Sequence, residues 1–173
     1  MILPAMDVLL MKDHLKTHEG MLYKLRIYFH HAHHPLLKEI IQRQYTIMND
    51  HVRVMLELLD PNRTTPVRLA AIDLDIVPKG DSNLNGTTEK QDKPLSFEGR
   101  ATAKFMANHN FMSSLLMKNP HVKEIHEKMA IQQAKIAESY THLIQHLWRE
   151  KPTMSTAEVQ LEIINDFKDL LHS

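Results

Sequence analysis

Apolar residues recur every three to four positions along four long stretches of this chain. The stretches are residues 6–31, 36–59, 97–118 and 121–148. This spacing is typical of helices that turn one apolar face towards a shared core. The sequence therefore predicts four long helices that pack side by side.

The inward face of each predicted helix is identified from apolar residues that repeat at every seventh position. The predicted inward positions are Val8, Leu15, Leu22, Phe29, Met11, His18 and Leu25 in the first helix, Ile40, Ile41, Ile47, Met48, Val54 and Met55 in the second, Phe105, Met112, Leu115 and Leu116 in the third, and Val122, His126, Met129, Gln133, Ile136, Tyr140, Leu143 and Leu147 in the fourth. A row that flanks the inward face of the second helix consists of Leu37, Gln44, His51 and Leu58.

A long polar connection, residues 60–96, separates the second predicted helix from the third. It contains four prolines, which disfavour continuous helix. Residues 67–77 are apolar enough to pack along the bundle as an ordered strap. Residues 79–93 are rich in polar residues and glycine, so we expect a mobile surface loop there.

A fifth helix is predicted over residues 155–172, after Pro152. It opens with a capping-box sequence that begins at Ser155. Its apolar face consists of Val159, Ile163, Phe167 and Leu170. An amphipathic face of this kind requires a partner, either the end of the bundle or another copy of the chain.

The predicted fold is all-α: a ferritin-like four-helix bundle with one long crossover and an extra C-terminal helix, forming a single domain over residues 1–173. Tight corners predict two antiparallel hairpins. The sequence Pro35-Leu-Leu-Lys-Glu-Ile40 recurs as Pro120-His-Val-Lys-Glu-Ile125, with residue numbers that differ by 85. Both copies open the second helix of a pair, which suggests a duplicated hairpin.

Composition narrows the possible functions. Lysine plus arginine and aspartate plus glutamate each number 21, and this balance argues against a nucleic-acid-binding protein. No apolar run reaches the roughly 18 residues of a membrane span. We expect no signal peptide and no secretion, because no basic segment precedes an apolar run near Met1. The sequence has no cysteine, which excludes disulfides, thiolate catalysis and cysteine zinc sites.

The carboxylates of a di-iron centre are missing from the predicted core. Such a centre needs one glutamate from each of two helices and Glu-x-x-His from each of the other two. Met48 and Met106 stand where the glutamates of that motif would be, and Gln133 lies on the inward row of the fourth helix. Glu19 is the one carboxylate near the middle of the first helix. We therefore expect no di-iron site, no cofactor, no catalytic residues and no enzymatic activity.

Inward-facing histidines offer an alternative function as a metal-binding protein. The candidate ligands are His18, Glu19, His51 and His109. The three histidines are predicted near the middle of three different helices, and neutral imidazoles can hold Zn²⁺, Ni²⁺ or Cu²⁺. The competing interpretation is that each histidine is half-buried and hydrogen-bonded to a neighbour such as Tyr45 or Asn108.

A short histidine-rich tract, residues 30–34, forms the corner between the first two predicted helices. It is interpreted as a polar helix turn, as an adventitious surface metal site, or as a contact surface shared with His121. If it lies in an interface, protonation near pH 6 would loosen that contact.

Two segments carry a resemblance to a known family. One runs from Met11 through Glu19 to Tyr28. The other joins His34-Pro-Leu-Leu-Lys38 to the stretch Met48-Asn-Asp-His-Val-Arg-Val-Met-Leu-Glu57. Together they resemble the helical hairpin of the bacterial spore coat protein F family. The chain differs from that family in lacking a Gly-Trp-Tyr-like tail and in having a second hairpin and a fifth helix.

The resemblance implies a ferritin-like fold, a place in the spore coat or its assembly, and no established enzymatic role. We also expect synthesis in the cytoplasm. The implied function is that of a structural or assembly protein. Its expected partners are other coat or assembly proteins, or further copies of the chain.

Overall fold

The computed structural model describes residues 2–72 and 86–171, without the side chains of residues 86–89. The helices are α1 (Ala5–His31), α2 (Pro35–Leu59), α3 (Gly86–Leu116), α4 (Pro120–Trp148) and α5 (Ala157–Phe167), followed by a 3₁₀ turn at Lys168–Leu171. The described residues contain no strand, so the prediction of an all-α fold is confirmed. No helix among them is long and apolar enough to cross a membrane.

Side-chain contacts give the directions of the helices. Lys24 contacts Glu98 and His14 contacts Ser113, so α1 and α3 are antiparallel. Gln44 contacts Tyr140, and His51 contacts Gln132 one to two turns further along, so α2 and α4 are also antiparallel. Because α1 and α2 form a hairpin, α2 and α3 run in the same direction. This is the arrangement of a one-crossover bundle, while kinship with ferritins stays a prediction.

The predicted inward rows of α2 and α4 are confirmed. All of their members are buried, from Ile40 to Met55 on α2 and from Val122 to Leu147 on α4, and the flanking row of α2 is buried as well. Both helices open with proline at the first position and a side-chain cap, His34 for α2 and Asn119 for α4. The regular apolar spacing of these helices therefore identifies their buried faces.

The predicted inward face of α3 is wrong. Phe105, Met112, Leu115 and Leu116 are each about half exposed. The buried face instead carries small and polar residues together with Met106: Thr102, Ala103, Asn110, Ser113 and Ser114. The reason is the close packing of α3 against α4. A Cβ added at Gly99 would lie within 2.7 Å of the Tyr140 hydroxyl, so only small residues fit between the helices.

Only one of the two predicted inward rows of α1 is buried. Of its two predicted rows, the one with Met11, His18 and Leu25 is buried, whereas the row that begins with Val8 is only partly buried or exposed. His14 joins the buried row. The core-facing side of α1 is thus more polar than its flank, which places imidazoles in the interior.

The predicted start of the third helix, at residue 97, is also wrong, because α3 begins at Gly86 and contains Pro94. The predicted crossover, residues 60–96, therefore ends earlier. Part of the predicted surface loop, residues 86–93, is helical, and the rest lies outside the described residues. Asp92 is buried and holds the α1–α2 corner, so a tertiary contact overrides the local signal of proline.

Two buried aspartates lock the ends of the bundle in the same way. The Asp7 carboxylate accepts hydrogen bonds from the backbone N–H groups of Lys118 and Asn119, at 2.8 Å each. The Asp92 carboxylate accepts them from His33 and His34, at 2.9 and 2.6 Å. Asp7 and Asp92 differ by 85 in residue number, as do the two corners that they bind. The locks therefore repeat the 85-residue offset of the recurring sequence, and each hairpin holds the corner of the other through an equivalent aspartate.

The strap is observed as far as residue 72. Val67 is buried against the ends of α2 and α4, and its carbonyl accepts a hydrogen bond from the His121 ring at 3.1 Å. The Ala70 N–H donates to the Asp50 carboxylate at 2.7 Å. Residues 73–77 of the predicted strap lie outside the described residues.

The fifth helix forms but has no buried side. Its N-cap is Thr156, which accepts a hydrogen bond from the Val159 N–H, instead of the predicted Ser155. Every residue from 151 to 171 is exposed, including the whole predicted apolar face.

Candidate functional site

Five histidines from four helices meet in the interior of the bundle. His14 and His18 are one turn apart on α1, His51 comes from α2, and His126 comes from α4; all four are fully buried. His109 of α3 closes the group, with a quarter of its side chain exposed. The i, i+4 spacing of the two α1 histidines puts both on one helix face, and that face points inward.

The rings are close enough to influence one another. The His14 ring stacks on the His109 ring with centroids 4.2 Å apart and meets the His126 ring edge-on at 5.2 Å. The His18 and His51 rings also meet edge-on, at 5.6 Å. The His14 and His18 centroids lie 6.3 Å apart, which joins the two groups into one cluster.

Hydrogen bonds indicate the protonated nitrogen on three of these rings, through a backbone carbonyl for two of them and through the placement of the Gln132 amide for the third. His18 Nδ1–H donates to the His14 carbonyl at 2.8 Å, and His126 Nδ1–H donates to the Val122 carbonyl at 2.9 Å. His51 Nε2–H donates to the Gln132 side-chain oxygen at 2.8 Å. The lone pairs are therefore on His18 Nε2, His126 Nε2 and His51 Nδ1.

The cluster is held in its neutral form. Burial, together with the neighbouring imidazoles His126, His109 and His18, lowers the pKa of His14 to about 3. Burial lowers the pKa of His18 to about 4, and burial with the nearby His18 lowers the pKa of His51 to about 3. Burial also lowers the pKa of His126. Neutral imidazoles with free lone pairs are the form that binds metal ions.

The four metal ligands predicted from the sequence do not all lie together in the structure. It brings His18 and His51 together, with His18 Nε2 and His51 Nδ1 3.4 Å apart. His109 stacks on His14, and Glu19 is exposed in a surface groove between α1 and α2, beside Lys16. As the side chains stand, no three His, Asp or Glu residues in the described ranges converge on a common metal position.

Sequence reasoning missed three members of the site. His14 could have been found from the His14-x-x-x-His18 spacing, which puts two imidazoles on one helix face. His126 lies on a predicted inward row, but no second histidine at helical spacing marks it as a ligand. Gln132 had no sequence signal, because its role depends on the register of α4 against His51.

The histidine-rich corner has a structural role. The His34 ring accepts a hydrogen bond from the Leu36 N–H and caps α2, while His30, His31 and His33 are exposed. His121 does not share this surface, because α4 is antiparallel to α2 and so begins at the other end of the bundle.

Comparison with models of known protein families, with curated proteins and with solved structures finds no match to this chain. Met48, Met106 and Gln133, which are predicted to stand where a di-iron centre would carry glutamate, are buried and uncharged, and Glu19 is exposed.

Proposed function

We propose that this chain is a non-enzymatic assembly protein that associates with further copies of itself through α5. The observation that carries the proposal is the uncovered apolar face of that helix. Val159, Ile163, Phe167 and Leu170 are all at least 47% exposed. Val159, Ile163 and Phe167 lie within an arc of about 80° on a helix of 3.6 residues per turn, and Leu170 follows in the 3₁₀ turn.

The length of α5 argues that it needs a partner. It has 11 residues, and isolated helices shorter than roughly 12–15 residues are marginal in water. Its helical state and its apolar face are therefore both stabilised when the face is covered.

The outer face of α3 has an apolar stripe and nearby basic residues that could pair with α5. Phe105, Met112, Leu115 and Leu116 form a half-exposed apolar stripe. Between residues 99 and 118 the chain has no acidic residue, and its bases include Lys104 and Lys118.

The charges of α5 match that stripe. From Ala157 to Leu171 the chain has four acidic residues and one lysine; the acidic residues are Glu158, Glu162, Asp166 and Asp169. They lie along one edge of the apolar face. Opposite charges beside two apolar stripes favour the pairing of α5 from one copy with α3 of another. Reciprocal exchange of the two helices would give a closed, twofold-symmetric pair.

The setting that we propose for this assembly is the bacterial spore coat. Its support is the resemblance of residues 7–59 to the spore coat protein F family. Detection of the protein in coat extracts of purified spores, with synthesis confined to sporulation, would support this setting. Equal synthesis during vegetative growth would refute the location in the spore coat but would leave the proposal of self-association through α5 unaffected.

Light scattering on the full chain tests the association. The expected mass is at least twice that of one 20.1 kDa chain. Ile163→Asp should reduce it to one chain, because a carboxylate would be buried in the apolar contact. The matched control is Leu161→Asp, since Leu161 is equally exposed but lies on the opposite side of α5.

A second pair of variants tests the surface on α3. Lys104→Glu combined with Lys118→Glu should weaken association, and added salt should weaken the association of the unmodified chain. A mass of one chain at all concentrations, or unchanged association in Ile163→Asp, would refute the proposal.

A further inference from the structure

With the Gln132 amide oxygen placed towards His51, the contact between His18 and His51 has an arrangement that a hydrogen bond does not explain. His18 Nε2 and His51 Nδ1 are 3.4 Å apart. A hydrogen bond between them needs a proton on one of the two nitrogens. Both rings have their proton on the other nitrogen, His18 on Nδ1 for the His14 carbonyl and His51 on Nε2 for Gln132. Two lone pairs therefore face each other, which is repulsive unless a cation lies between them.

The separation also has the size expected of two ligands on one metal ion. At a Zn–N distance of about 2.05 Å, two nitrogens on adjacent corners of a tetrahedron are about 3.4 Å apart. The two rings belong to different helices, and each is oriented by a hydrogen bond from its far nitrogen. That pattern is the usual outer-shell support of a metal-binding histidine.

A third lone pair lies in the same buried cluster. His126 Nε2 is buried and has no hydrogen-bond partner among the described residues. Its proton is held on Nδ1 by the Val122 carbonyl. The His126 ring lies 5.2 Å from the His14 ring, which in turn lies 6.3 Å from the His18 ring. The negative charge of the buried Asp7 carboxylate favours the protonated form of His126, so it would also attract a cation near that ring.

We propose that His18 Nε2, His51 Nδ1 and His126 Nε2 form a binding site for a divalent transition-metal ion of the Zn²⁺ class. His18 and His51 already have the ligand spacing. Binding by His126 requires its ring to move away from the Val122 carbonyl, which at present holds its Nδ1–H. Three neutral imidazoles select borderline ions such as Zn²⁺, Co²⁺, Ni²⁺ and Cu²⁺ over Mg²⁺ or Ca²⁺. The site does not depend on the α5 contact and can be tested in a chain that does not associate.

The experiment uses the full chain at pH 7.5, incubated with Zn²⁺, desalted and analysed for metal content. Co²⁺ is used in parallel, because its visible absorption reports tetrahedral nitrogen coordination. We expect about one equivalent per chain and a rise in melting temperature, since an ion that binds only the folded state stabilises it. His18→Gln and His51→Gln should each lower the affinity at least 100-fold. His142→Gln, which changes an exposed histidine on α4, is the matched control and should keep full affinity.

Gln132 provides a test that a merely structural role would not predict. Gln132→Leu removes the acceptor that fixes the His51 tautomer and should weaken binding 10- to 100-fold. Gln132→Glu can only accept from His51 Nε2–H and should retain tight binding. Loss of binding in Gln132→Glu would overturn the assignment of the lone pairs.

Three further results would overturn the proposal. The first is no retained Zn²⁺ and no rise in melting temperature for the unmodified chain. The second is full retention in His18→Gln or His51→Gln. The third is metal that is lost only when the exposed corner histidines His30, His31 and His33 are changed to Gln, since this would assign the ion to the surface. If His18→Gln or His51→Gln does not fold by circular dichroism, the Gln132 pair and the Co²⁺ spectrum decide.

Discussion

Mild acidification, to a pH at which carboxylates are still ionised, should destabilise the metal-free bundle. The reason is that the core histidines are buried in their neutral form. The pKa values of His14, His18 and His51 are lowered to about 3, 4 and 3. In the unfolded chain these groups titrate near pH 6.5. Below that pH these histidines bind protons in the unfolded state but stay neutral in the folded state. Stability is therefore complete above about pH 6.5 and is lost progressively as the pH falls towards 4.

The size of the effect follows from the same linkage. At pH 5.5 a group that titrates at 6.5 when unfolded and near 3 when folded destabilises the protein by about 1.4 kcal/mol. Three such groups give about 4 kcal/mol, and His126, whose pKa is also lowered, adds to this. The total free energy of unfolding of a typical domain is about 5–15 kcal/mol. The bundle should therefore lose a large part of its stability between pH 7.5 and pH 5.5.

Urea unfolding followed by circular dichroism at both pH values, with EDTA present, measures this loss. His51→Gln removes one of these groups and should reduce the loss by about 1.4 kcal/mol. His142→Gln changes an exposed histidine of α4 and should keep the full loss. Free energies of unfolding that agree within about 1 kcal/mol at the two pH values would refute the reasoning.

Two further predictions concern packing and the locks. Asp92→Asn should lower the free energy of unfolding in urea by about 2–4 kcal/mol, because one of two charge-assisted hydrogen bonds is lost and the other is weakened. The control is Asp13→Asn, which changes an exposed position of α1 and should have little effect in the same assay. Gly99→Ala should lower stability by about 1–3 kcal/mol, since its methyl group would collide with the buried Tyr140 ring. Gly20→Ala meets no atom within 4 Å and should instead stabilise α1 by about 0.5–1 kcal/mol; the opposite order of the two alanine variants would contradict the packing.

The sequence predicts this fold well where packing follows apolar periodicity. The rows of α2 and α4 match the buried faces, because both helices bury large aliphatic residues on one side. The rule fails for α3, where contact with α4 is made by Gly99 and Ala103 and the large residues remain outside. A pattern of large apolar residues identifies a face that needs covering but not what covers it.

The candidate site was predictable only in part. His18 and His51 could be placed together from their positions near the middle of an antiparallel hairpin. The early start of α3 could not be predicted, because Pro94 signals a break and the Asp92 lock that offsets it joins residues far apart in sequence. The orientation of each imidazole was equally inaccessible, since it depends on a carbonyl or on Gln132 across the helix contact.

The two aspartate locks have a consequence for how this core can diversify. A single hairpin has half of each lock, so two identical hairpins would pair with both locks closed, and every side chain between them would occur twice. Joining the copies in one chain removes that constraint. The counterparts of His14, His18 and His51, 85 positions later, are Gly99, Ala103 and Ile136. Polar chemistry can thus be concentrated in one half of the interior while the other half remains a packing surface.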